Sequence, residues 1–203
     1  MTVNQHHPYF SPEAYLEAEK ESPHKHEYIQ GQIYAMAGAS DAHVTITTNL
    51  IALLRNHLRG TGCRLYATDM KARIEFLNIF YYPDVMVTCD QRDRNFDYYK
   101  RYPCLIIEVL SDKTEAFDRC DQFTDYSELE TLQEYVLINQ KRMRVERFRR
   151  DAEGHWVLHR YKERDELYLE SIDFHCPITA VYEDVAFIPP EDIGFAGIWR
   201  EIV

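Results

Sequence analysis

The stretch Leu105-Ile106-Ile107-Glu108-Val109-Leu110 decides how this chain is read. It is short, built of leucine and β-branched residues, and bounded by Pro103 and by Ser111-Asp112, the pattern of a strand buried on both faces. Glu108 breaks that pattern. An ionised acid in such a place costs several kcal/mol unless a cation, a basic side chain or protonation compensates it. A second acid, Asp84, follows Pro83 at the start of another strand-like run, Val85-Met86-Val87. Two acids on neighbouring strands, with oxygen donors only, suit Mg²⁺ rather than zinc. Taken alone, Glu108 fits equally well as a buried acid paired to an arginine.

Outward from this strand, the chain alternates helical and extended patterns. Ser11-Pro12-Glu13 starts a helix that ends before Pro23. Residues 26–29 and 32–36 predict two short strands around the tight turn Gln30-Gly31. Ser40-Asp41 caps a helix of about eighteen residues, with Val44, Leu50, Ile51, Leu54 and Leu58 as its apolar positions and Gly60 as its stop. Residues 64–68, 70–76 and 79–87 read as strands ahead of the 105–110 strand, and an aromatic, charged loop spans 91–102. A helical pattern covers 114–129, and Glu134-Tyr135-Val136-Leu137-Ile138 is the next buried strand. Residues 143–149, 156–161 and 167–169 predict an antiparallel C-terminal extension. The class is α/β or α+β, a mixed central sheet flanked by helices.

At 203 residues, 45% of them apolar, the chain is expected to form one domain over 1–203, with its core over about 9–185. Its five cysteines are odd in number and lack a CxxC pair, which argues against a disulfide framework and a structural zinc site. The polar N-terminus has no hydrophobic signal region and no apolar run approaches ~20 residues, so a reducing cytoplasmic setting without a membrane span is expected. A net charge of −11 counts against tight non-specific nucleic-acid binding, while leaving room for a local basic face.

Six stretches carry a resemblance: Glu27-Tyr28-Ile29-Gln30-Gly31-Gln32-Ile33, Met36-Ala37-Gly38 to His43, Asp69-Met70-Lys71-Ala72-Arg73-Ile74, Tyr82-Pro83-Asp84-Val85, Ile107-Glu108-Val109-Leu110-Ser111 and Leu132-Gln133-Glu134-Tyr135. Each is weak alone, but in order over nearly the whole chain they resemble the Uma2 (DUF820) family of restriction endonucleases, in the PD-(D/E)XK nuclease superfamily. The resemblance implies a restriction-endonuclease-like fold and a Mg²⁺- or Mn²⁺-dependent endonuclease acting on DNA. It also implies metal ligands Asp84 and Glu108, with Glu27 as a third acid. A homodimer is expected, since cutting two strands invites two-fold symmetry.

The chain departs from the superfamily pattern where a lysine is expected. Two residues after Glu108 stands Leu110, and the family's alternative position on the following helix is Gln122. Glutamine binds water but carries no charge and moves no proton near neutral pH. Lys113, Arg119 and Lys71 are the basic residues that could stand in. The alternative is a catalytically degenerate nuclease fold serving as a binding or interaction module.

The remaining features have plainer readings. His43 is assigned no chemistry. His155 and His159 lie ~13 Å apart if extended, so they form no chelate. The basic stretches 141–150 and 91–102 fit either phosphate contacts or charged protection of a sheet edge.

Overall fold

A computed structural model describes residues 9–111 and 115–187. In chain order its elements are α1 (Pro12–Glu21), β1 (His26–Ile29), β2 (Gln32–Ala35), α2 (Asp41–His57), β3 (Arg64–Ala67), β4 (Lys71–Ile74), β5 (Ile79–Tyr81), β6 (Val85–Thr88) and β7 (Tyr99–Lys100). They continue with β8 (Leu105–Leu110), α3 (Glu115–Arg119), α4 (Asp121–Ser127), β9 (Glu134–Asn139), β10 (Arg144–Arg150), β11 (Trp156–Lys162), β12 (Glu166–Leu169), β13 (Phe174–Pro177) and α5 (Ile178–Val181). The strands form a six-stranded sheet ordered β11-β10-β9-β8-β6-β3, a five-stranded sheet ordered β2-β1-β5-β4-β7, and the ribbon β12-β13. In the six-stranded sheet β8 and β9 are parallel and the other pairs antiparallel, so the fold is α+β with mixed sheets and flanking helices.

Local signals account for most of the boundaries. Ser11 and Ser40 cap α1 and α2, their hydroxyls accepting from Ala14 N and His43 N at 3.2 Å. The β1–β2 turn places Gln30 and Gly31 at φ 49° and 92°, the left-handed pair that a two-residue hairpin of this hand requires. In α2 the buried positions are Ile46, Thr47, Leu50 and Leu54, whereas Val44 is exposed.

The six-stranded sheet is covered on both faces, which is why β8 and β9 are wholly buried. On one face Ile46, Leu50 and Leu54 of α2 pack with Val85, Val87, Ile107 and Val109. On the other, Tyr126 and Leu129 meet Ile106, Leu110, Tyr135 and Leu137, together with Ala72, Ile74 and Tyr81 of the five-stranded sheet. Each fully buried aliphatic or aromatic side chain contributes about 1.5–3 kcal/mol.

Four expectations are corrected. The run 79–87 is two strands in different sheets, because Pro83 has no N–H to continue a ladder. The helix expected over 114–129 breaks at Cys120 into α3 and α4. Strands β10 and β11 do extend the sheet, but β12 leaves it to pair with β13. Finally, Cys63 and Cys89 form a disulfide. They flank the pair Arg64↔Thr88, so strand register sets them opposite each other despite their scattered places in sequence. No described helix is long and apolar enough to cross a membrane.

Candidate metal centre

Asp84 lies where the chain passes from one sheet to the other. The pairing of β6 with β8 runs through Val87↔Leu105, Met86↔Ile106 and Val85↔Ile107, which sets Asp84 opposite Glu108 as the ladder ends. Side chains take over there from backbone. The Val109 N–H donates to Asp84 Oδ2 at 2.8 Å, and the Asp84 N–H donates to Glu108 Oε2 at 3.1 Å. The two acids are thus locked to each other's strands and line one cavity of about 770 Å³. Glu27 of β1 lines it as well, its carboxylate accepting from Tyr82 N at 3.4 Å, and His43, Asp118 and Gln122 are among its other polar lining residues.

The electrostatics follow from burial. Glu108 is 6% exposed, and its ionisation is opposed by desolvation first and then by Asp84, Asp118 and Glu27, which raise its pKa well above the ordinary value. Burial, with help from the charges of Asp118 and Asp84, likewise pushes Glu27 up to about 7 against the Tyr82 N–H, which favours ionisation. Desolvation alone would lower His43, but its 3.1 Å contact with Asp84 Oδ2 and the charges of Asp84 and Asp118 outweigh burial and raise it. Among the described residues, no arginine or lysine forms an ion pair with Glu27, Asp84 or Glu108.

The other sequence candidates lie in different places. Gln122 lines the cavity, with Oε1 accepting from the buried Tyr135 hydroxyl at 3.1 Å. Lys71 is buried outside the cavity lining, its ammonium 4.9 Å from the Tyr82 ring centroid. Arg119 turns away toward Glu115 and Glu146. Lys113 lies outside the described residues.

Three participants escaped sequence reasoning. His43 sits in the first turn of α2, and only its place at the end of the 36–43 motif marked it. Asp118 is 5% exposed beside the cavity, although a helical acid ordinarily reads as solvated surface. Lys25 is the one lysine lining the cavity among the described residues, bonded to Thr68 O at 3.1 Å and paired with Asp69. No pattern announced it.

The donor set fits a hard cation. Asp84 Oδ1 takes no hydrogen bond among the described residues, and Glu108 Oε1 has only a 3.4 Å contact from the Tyr126 hydroxyl. One oxygen of each acid is therefore available. No three described His, Cys, Asp or Glu side chains converge as a ready-made metal-binding group, so an ion would rest on two carboxylates and water. That is how Mg²⁺ is commonly held.

Comparison with known proteins gives this geometry a family. The Uma2 family model, described as "Putative restriction endonuclease", matches residues 12–179. Two proteins of Synechocystis sp. (strain ATCC 27184 / PCC 6803 / Kazusa) are similar over much of their length. Slr1290 is 39% identical over 180 residues, covering 89% of this chain and 95% of its own. Sll1609 is 36% identical over 146 residues, covering 71% and 82%. A crystal structure from Anabaena variabilis ATCC 29413, described as "a putative nuclease belonging to DUF820", superposes with a TM-score of 0.69 at 15% identity. It covers 85% of this chain and 97% of that one, so the fold is shared. By the extent of the family match and the identity to its relatives, this chain belongs to the Uma2 family.

Proposed function

We propose that the protein is a nuclease that hydrolyses DNA phosphodiester bonds with Mg²⁺ or Mn²⁺ held by Asp84 and Glu108. One observation carries the reading: the buried Glu108 and the half-buried Asp84 face a single cavity, held by backbone N–H groups and His43, with no guanidinium paired to either among the described residues. Membership of the Uma2 family supports nuclease chemistry in general. A bound divalent ion would supply charge neutralisation at the scissile phosphate and a more acidic water.

The chain's own residues do the rest. Val109 N–H and His43 both bond Asp84 Oδ2, which fixes the carboxylate and leaves Oδ1 without a hydrogen bond among the described residues. The Asp84 N–H holds Glu108 in the same way. Glu27, poised near neutrality, can accept a proton from water or hold one, a role the uncharged Gln122 cannot fill. Gln122 orients rather than titrates. A two-fold dimer in the cytoplasm, presenting one such cleft to each strand, completes the proposal.

Gln122 also favours a second reading, a degenerate nuclease fold that binds without cutting. It stands where the family pattern expects lysine and is tied to Tyr135. Cleavage of plasmid and single-stranded DNA with Mg²⁺ or Mn²⁺ separates the two. Wild-type cleavage lost in Asp84→Ala and Glu108→Ala establishes the nuclease. Cleavage that survives Asp84→Ala defeats the site, and cleavage gained only in Gln122→Lys establishes degeneration. Calorimetric Mn²⁺ titration tests the centre without needing a substrate.

A further inference from the structure

A second cavity, of about 810 Å³, opens at one end of the β10–β11 hairpin. Its charged lining is Lys141, Arg142, Arg144, Arg160 and Lys162 against Glu163, in a chain whose net charge is −11. The strand register makes this concentration costly. Arg144 pairs directly with Lys162, a cross-strand repulsion that sheets ordinarily avoid. It is tempered by Glu146, 3% exposed, which accepts from Arg144 at 2.7 Å and from Arg160 at 3.2 Å. Glu146 also binds Arg119 from α3, so three arginines are pinned on one carboxylate and keep positive charge in excess.

Edge protection is the plain alternative, since β11 is the last strand of its sheet. Edge protection, however, needs charge spread along the strand. On the edge strand β11 the lysine and arginine, Arg160 and Lys162, lie together at one end, where with Lys141, Arg142 and Arg144 they surround a concavity. The place is also telling. Gln140 lines the acid cavity and the next residue, Lys141, lines the basic one. Gln140 is held by Ser40 Oγ at 2.5 Å, at the N-cap of α2. The two cavities adjoin along the chain.

We infer that this groove binds the phosphodiester backbone of DNA and leads it across Gln140 to the acid cleft. The choice of ligand rests on the nuclease reading. The binding itself does not require cleavage. Exposed cations on a polyanion act through counterion release, so each lost contact flattens the salt dependence of binding by about 0.9 in log–log slope.

The test is fluorescence anisotropy with a short fluorescein-labelled DNA duplex in EDTA, over a series of salt concentrations. Arg142→Ala/Lys162→Ala removes two exposed groove cations outside the Glu146 cluster. Arg55→Ala/Arg59→Ala removes two exposed cations near the far end of α2 and matches the change in net charge. The expected result is about tenfold weaker binding and a slope flatter by about 2 in the groove variant, with the control within about twofold of wild type. Equal losses in both variants, no loss in either, or no duplex binding by the wild type at low salt would overturn the inference. So would a groove-dependent loss seen with an RNA duplex but not with DNA. Cleavage with Mg²⁺ is scored separately. Groove-dependent binding without cleavage retires the nuclease reading alone, and cleavage undiminished in a groove variant that binds normally retires the groove alone.

Discussion

Glu108 and Glu146 are both buried glutamates on strands of the same six-stranded sheet, 6% and 3% exposed, yet their surroundings are opposite. Glu146 is met by Arg119, Arg144 and Arg160. Burial pushes its pKa up, and the arginines, Arg119 above all, more than reverse that, leaving it below the ordinary value. Glu108 is met by a backbone N–H, a distant tyrosine hydroxyl and other acids, and its pKa rises. A third case, Glu134, fully buried, takes Arg147 at 3.3 Å together with the Ser171 hydroxyl and two backbone N–H groups. Guanidinium compensates Glu134 and Glu146, whereas Asp93, 1% exposed, is compensated by the Thr88 hydroxyl and the Arg101 and Tyr102 N–H groups. Glu108 has neither kind of compensation in full, only one backbone N–H and a 3.4 Å hydroxyl contact, which is what the proposed metal-binding role requires.

The contrast breaks most readily at the acid centre. Asp84→Ala or Glu108→Ala is expected to lower metal-dependent cleavage by about a thousandfold, roughly 4 kcal/mol of barrier, measured as single-turnover rates. Glu146→Gln should leave those rates within an order of magnitude, and a loss there as deep as in Glu108→Ala would erase the distinction.

Stability against pH gives the next largest effect. Glu27 titrates near 7 in the folded protein and near 4.5 when unfolded, so the folded state holds the extra proton between those values. Metal-free stability is then highest below about pH 4.5, as far as this group goes, and falls as pH climbs to 7, by up to about 3 kcal/mol. Urea unfolding in EDTA should show the slope, Glu27→Gln should flatten it, and a wild-type protein that gains stability over that range would contradict the burial argument.

Opposite signs are expected from two matched substitutions. Glu146→Gln leaves partly exposed arginines without their acid and should cost about 1–3 kcal/mol. Glu108→Gln relieves a repelled buried charge and should stabilise the metal-free protein at pH 8 by about 1–2 kcal/mol. Denaturant midpoints in EDTA decide it, and the same sign for both would sink the comparison. The smallest effect is at His43. His43→Ala should weaken calorimetric Mn²⁺ affinity about tenfold by loosening Asp84, while an unchanged affinity would reduce that contact to packing.

Much of this arrangement was legible in the chain. A carboxylate inside a six-residue apolar strand is conspicuous, and proline before Asp84 marks the start of a new strand. Serine caps and the Gln30-Gly31 turn placed α1, α2 and the first hairpin through local chemistry alone. What escaped depended on tertiary register. Residues 79–87 look like one β-rich run, and only the layering shows that Pro83 hands the chain from one sheet to another. The Cys63–Cys89 bridge needs the β3–β6 pairing before it can be seen. His43, Asp118 and Lys25 come from a helix turn, a broken helix and a strand approach, and their neighbours in sequence say nothing of the cavity they share. Lys71, by contrast, has a plausible pattern but points to Tyr82.

The exchange of bonds between Asp84 and strand β8 has a consequence for folding fidelity. Alternation along a strand means that a slip of one residue would carry Glu108 to the face packed by Ile46, Leu50 and Leu54 and Val109 to the face packed by Tyr126. Such a slipped chain would lose both the Val109-to-Asp84 and Asp84-to-Glu108 bonds and would drive a naked carboxylate into the packing of Ile46, Leu50 and Leu54. Correct alignment of the central strand and assembly of the acid centre are thus one event, so a molecule cannot mature its fold and misplace its chemistry.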